Sequence, residues 1–141
     1  MGNKRKSVSK QERESVYRLC NGHCAYCGKK ITMREMQVDH FLSHNIGGAL
    51  DYNNLDTLDN YLPSCRSCNY RKSDMLIEDF RKNIIKLTDV LNRSSASYRD
   101  AVRFGQVTEN KHMQEFYYEK IGVHIGAMDA LDNIIERNKE N

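Results

Sequence analysis

Two pairs of cysteines, Cys24/Cys27 and Cys65/Cys68, are each spaced C-x-x-C. Four thiolates in two such pairs are the usual set for a tetrahedral structural zinc ion. Between the pairs lies Val38-Asp39-His40-Phe41, an acid next to a base. Asn69 directly follows the last cysteine, and Lys72 comes one helical turn later. Neighbours on a strand point to opposite faces, so Asp39 and His40 are free to serve different tasks. A zinc joining the two cysteine pairs brings Asn69 close to Asp39.

Several elements must position these residues. Ser9-x-x-Glu12 is a capping box and Gly22 a stop, so a helix is expected over 9–21, with Val16, Leu19 and Cys20 on one face. Cys20 reads as a small buried hydrophobe rather than a fifth ligand. The turn at 23–28 is knuckle-like, and Gly28 relaxes the backbone after the second thiolate. His23 borders it, out of step with the cysteines. Residues 29–36 read as a hairpin arm leading into a strand at 37–41. A long connection, 42–59, holds Gly47-Gly48, Asn53-Asn54 and His44, a candidate phosphate or metal contact. An extended approach over 58–63, stiffened by Pro63, leads to Cys65. A short helix then carries Asn69, Arg71 and Lys72.

Beyond it, Ile77, Phe80, Ile84, Leu87 and Leu91 recur at helical spacing, which predicts a helix over 75–92. Residues 93–111 read as irregular apart from Arg103-Phe104-Gly105. The aromatic run at 114–119 reads as a strand. A final helix over 123–138 aligns Ile125, Met128, Leu131 and Ile135 in a stripe that needs a cover: helix 75–92 or a second copy of the chain. The implied domains are a basic flexible arm, 1–8, a core, 9–74, and a helical C-terminal extension, 75–141.

The chain has 141 residues, enough for one domain, with a net charge of +3. The charge is uneven. Residues 1–73 carry 12 Lys/Arg against 7 Asp/Glu, net +5, and residues 74–141 carry 10 against 12, net −2. The cysteine-bearing half is the polyanion-binding face, with Lys4, Arg5 and Lys6 of the arm as added phosphate contacts. No apolar run is long enough to span a membrane, and no apolar segment follows the basic N-terminus as in a secretory signal. Cysteines in C-x-x-C pairs imply a reducing compartment and a metal rather than disulfides.

The combination of V-D-H-F, a Gly-Gly loop and D-N-Y-L-P-S-C-R-S-C-N-Y-R-K resembles the HNH endonucleases. The match covers residues 24–73. The C-terminal R-F-G and F-Y-Y-E-K segments are similar to extensions of some phage and bacterial members. The resemblance implies an α+β protein: a ββα-metal core closed by the four-cysteine zinc site, with flanking helices. It implies Cys24, Cys27, Cys65 and Cys68 as zinc ligands and His40 as general base. Asn60 is the middle asparagine that steadies the histidine-bearing loop, with Asn54 as its competitor. Asn69 stands in place of the last histidine and, with Asp39, holds one Mg²⁺ or Mn²⁺ ion. The implied substrate is DNA, the implied setting the cytoplasm of a bacterial or phage-infected cell, and the implied state a monomer or homodimer. Restriction, mobile-element and phage-packaging roles all remain open.

The chemistry follows from the residues. Phosphodiester cleavage needs a water deprotonated in line with the leaving oxygen and a cation beside the developing charge. An ordinary imidazole titrates near pH 6.5, with about half of it neutral there, so a base is available at neutral pH. A carboxylate and an amide oxygen form a hard-oxygen site suited to Mg²⁺. Lys72, Arg71 and Arg66 are placed to clamp phosphates. The alternatives are a zinc knuckle that only binds nucleic acid and a nuclease-derived scaffold that does not cut. Asp39-His40 together with Asn69 argues against the knuckle, and the presence of every expected site residue argues against the scaffold.

Overall fold

The computed structural model describes residues 6–112 and 115–140. The chain divides into two compact units, residues 1–76 with 116–141, and residues 77–115. The first unit thus includes the C-terminal 26 residues as well as the expected core, and the first boundary falls at 76/77 rather than at 74/75. Lys4, Arg5 and Gln114, named in the expectations above, lie outside the described residues.

The first unit opens with α1 (Lys10–Leu19), capped by Ser9, whose side chain accepts from Glu12 N–H while Glu12 returns the bond, as the capping box predicts. Val16 and Cys20 are buried and tie the helix to the core. The turn after α1 carries the chain into the knuckle. A single bridge, His23 to Lys30, is all of the expected hairpin arm at 29–36 that pairs.

The sheet has two antiparallel strands, β1 (Gln37–His40) and β2 (Tyr61–Ser64), in the register Gln37↔Ser64, Val38↔Pro63, Asp39↔Leu62, His40↔Tyr61. The long connection between them holds α2 (His44–Ala49), which Ser43 caps by accepting from Ile46 N–H. His44 therefore opens a helix and does not sit in a loop. A 3₁₀ turn (Leu58–Asn60) replaces the first half of the expected extended approach. Cys65 then caps α3 (Arg66–Lys72), its sulfur accepting from Cys68 N–H at 3.4 Å. Strand, strand and helix follow in the ββα order.

In the second unit the expected helix over 75–92 is two, α4 (Ile77–Ile85) and α5 (Leu87–Ser94), because ψ opens to −8° at Lys86. The segment expected to be irregular contains α6 (Ala96–Arg103), capped by Ser95. Asn92 and Tyr98 both donate to Glu109, which folds the following loop back on α5 and α6.

The chain then re-enters the first unit. The strand expected at 114–119 does not form. Phe116 is extended, and α7 (Tyr117–Lys120) turns at once, because Glu119 accepts from Phe116 N–H. The aromatic run still pairs by backbone: Tyr117 and Tyr118 N–H donate to the knuckle carbonyls of Tyr26 and Ala25. Phe116 and Tyr118 stand edge-on to Tyr26. The last helix, α8 (Gly126–Lys139), buries Met128 and Leu131, with Ile125 buried just before it, while Ile135 is 40 % exposed. It packs on the 3₁₀ turn, with Gly126 close against Asp59. Three of the four stripe residues are thus buried, and Ile135 is not. No helix among the described residues is long and apolar enough to cross a membrane.

Gly28 sits at φ +77°, and a Cβ there would come within 2.9 Å of the Tyr117 ring. Gly28→Ala is expected to cost about 1–2 kcal/mol from the left-handed backbone alone. Gly48 in α2 has open space around it, so Gly48→Ala should leave stability unchanged or raise it by up to about 1 kcal/mol. Urea unfolding of the two variants checks both signs.

Candidate active site and zinc centre

The zinc centre gathers residues from the knuckle and from the start of α3. The ligand sulfurs of Cys24, Cys27, Cys65 and Cys68 all lie within 4.8 Å of one another. Sulfurs about 2.3 Å from a tetrahedral zinc stand about 3.8 Å apart; Cys27 Sγ and Cys65 Sγ are 3.8 Å apart. The donor set fits zinc in type, number and spacing. The crowding shows in the acidities. A hydrogen bond from Cys68 lowers the Cys24 thiol to about 5, and the same contact pushes Cys68 up. Cys20 stands apart from the four; it is buried, and desolvation raises its thiol to about 12.

The knuckle is joined to the sheet by Ala25 N–H, which donates to the Pro63 carbonyl of β2 at 2.8 Å. It also brings Tyr26 to the sheet, where its hydroxyl donates to Asp39. Lys72, on α3, reaches the same carboxylate. Its Nζ lies 3.2 Å from Asp39 Oδ2 and 3.0 Å from the His40 carbonyl oxygen. This corrects the expectation that Lys72 clamps phosphate. Its side chain has no exposure, and its charge is neutralised by an acid that is itself buried. A buried acid without such a partner is costly. Burial pushes the Asp39 carboxyl up, against the opposing pull of Lys72 and Tyr26. Tyr26 is held well above the usual phenol value by burial and by Asp39.

A cavity of about 310 Å³ opens beside these residues, lined by Asp39, His40, Ser43, His44, Asn69 and Asp74, among others. Asp39 and Asn69, from β1 and α3, thus line one cavity. A carboxylate and an amide oxygen there fit a hard divalent cation by donor type, although the Lys72 ammonium already occupies one side of the carboxylate.

Of the two candidate middle asparagines, Asn60 is fully buried and Asn54 is exposed. Asn60 Oδ1 accepts from Leu42 N–H at 2.8 Å, and its Nδ2 donates to the carbonyls of Leu42 and Leu55 at 2.9 Å each. One side chain therefore holds the chain just after His40 to the connection before β2.

Asp56 was missed in the sequence. It lies in the long connection with no motif around it, yet Oδ1 is 3.0 Å from His40 Nε2 and 2.8 Å from His44 Nε2. Desolvation pushes its carboxyl up, but the hydrogen bonds from His44 and His40 outweigh that and hold it below the usual carboxylate value. An ionised carboxylate only accepts, so both Nε2 atoms carry the hydrogen, and in the neutral ring Nδ1 of His40 is the nitrogen with the lone pair. The ring of Tyr61, the register partner of His40, stands edge-on to the imidazole at 5.2 Å.

Residues 24–85 match the family model for the HNH endonuclease. This stretch is similar to the HNH endonucleases. The match spans the zinc knuckle, both strands, α3 and α4. The family is one of nucleases, and the cysteine cluster of this chain offers a metal site. No curated protein matches the chain. Arg66 and Arg71 are exposed on α3, and Arg71 lines a shallow cavity with Asn69 and Tyr70.

Zinc bound by such thiolate sets contributes on the order of 10–16 kcal/mol at neutral pH, comparable to or above a typical domain's whole stability. Cys65→Ser is expected to unfold the first unit and abolish stoichiometric zinc. Circular dichroism and metal analysis check this, and native melting without zinc would contradict the assignment.

Proposed function

We propose that the protein is a metal-dependent DNA endonuclease in which His40 is the general base and Asp39 and Asn69 hold one Mg²⁺ or Mn²⁺ ion. The observation that carries this reading is the single cavity lined by Asp39, His40 and Asn69 within the stretch similar to the HNH endonucleases. The ion, when bound, supplies positive charge beside the phosphate and the leaving oxygen. The remaining work falls to the chain. Asp56 fixes the His40 tautomer and ring orientation, and Nδ1 of His40 takes the proton of the attacking water. Asn60 holds the backbone after His40 so that the base does not drift from that water. Lys72 ties β1 to α3 by bonding both Asp39 and the His40 carbonyl. Arg66, Arg71 and the basic arm supply the phosphate contacts that hold the DNA.

This division of roles separates two variants. His40→Ala should lose cleavage by about 100-fold or more, since both the base and the aligned water are lost, and should still bind zinc and DNA. Asp39→Ala should weaken the divalent ion, so excess Mn²⁺ partly restores its activity. Plasmid cleavage across a Mn²⁺ titration compares them. Near wild-type cutting by His40→Ala sinks the base assignment, and metal rescue of His40→Ala but not of Asp39→Ala reverses the two roles.

A further inference from the structure

His40, His44 and Asp56 do more than exchange hydrogen bonds. Each offers one ligand atom, and the three atoms lie within 4.8 Å of one another. Two ligand atoms at right angles around an ion, each about 2.1 Å away, stand about 3 Å apart. The two Nε2 atoms lie 3.0 and 2.8 Å from the same Asp56 oxygen. Two neutral imidazoles and one carboxylate give a donor set of net charge −1 that suits a borderline transition-metal ion rather than Mg²⁺. The side chains are 22–28 % exposed, so an ion can enter and keep water or another ligand on its open side.

We propose that His40, His44 and Asp56 form a further metal site, distinct from the four-cysteine zinc and from the Asp39–Asn69 ion, which binds a transition-metal ion such as Ni²⁺ or Zn²⁺ and thereby withdraws the His40 base. The ion takes the place of the two Nε2 hydrogens. An imidazole coordinated through Nε2 carries its hydrogen on Nδ1, so it has no lone pair left to accept a proton from water. Binding stands on the geometry alone; inhibition rests on His40 as the base in the proposed function. His124 and Asp129 form a similar pair at 2.8 Å, but they are more than half exposed and lack a second imidazole, so they make an internal control.

The test uses the untagged, zinc-loaded full chain, with Ni²⁺ as the probe. Calorimetric titration should find one Ni²⁺ per chain with the cysteine zinc retained. His44→Ala and Asp56→Asn should each weaken that binding by about tenfold or more, while His124→Ala leaves it unchanged. Melting curves confirm that the variants are folded. No Ni²⁺ binding, or equal affinity in the wild type and both site variants, overturns the site. With binding in hand, plasmid cleavage in fixed Mn²⁺ should fall as Ni²⁺ fills the site. Cleavage that rises with Ni²⁺ overturns the inhibitory role, since the ion would then be assisting catalysis. Cleavage unchanged at full occupancy also overturns that role; it removes His40 as the base while the site itself stands.

Discussion

Four sulfur atoms from two places in the chain must meet within one ion's coordination sphere, and the functional unit is built on that requirement. Its sheet is only two strands of four residues each, and a pair that small is marginal without further support. The knuckle supplies the support. Ala25 bonds β2, Tyr26 bonds Asp39 on β1, and the carbonyls of Ala25 and Tyr26 receive the returning C-terminal segment. Cys65 ends β2 and caps α3 with the sulfur that also belongs to the zinc set. The direction in which α3 leaves the sheet, and hence the position of Asn69, is tied to the cysteine cluster.

Lys72 carries the same constraint one turn further. By bonding the Asp39 carboxylate and the His40 carbonyl, it links the helix to the strand at the Asp39-His40 dipeptide. The two carboxylates near His40 are thus partnered differently. Asp39 is buried against an ammonium and a phenol. Asp56 is partly exposed between two imidazoles. The first lies on the cavity wall, tied to Lys72 and Tyr26, whereas the second accepts from both imidazoles.

Much of this was legible in the residues. The zinc set could be read because its spacing is imposed by the ion. Asn60 could be read because its distance to Cys65 follows from the strand between them, and α1 because Ser9 and Glu12 satisfy each other locally. What was missed depended on tertiary context. Lys72 looks like any basic residue near a site until its helix turns it inward against a buried acid. Asp56 lies in a long connection and meets His40 only because α2 and Asn60 fold that connection back. The aromatic run at 116–118 has the composition of a strand, but its backbone finds its partners on the knuckle rather than in the sheet. Ser43 and Ser95 were readable caps, and weighing them would have given α2 and α6.

The most direct test is cleavage of supercoiled plasmid by the wild-type chain carrying one zinc per molecule. Nicked or linear product is expected when Mg²⁺ or Mn²⁺ is added and none when both are omitted, with the zinc content unchanged throughout. A folded, zinc-loaded protein that leaves the plasmid intact at every Mg²⁺ and Mn²⁺ concentration, or one that cuts equally well without either ion, would contradict the nuclease reading.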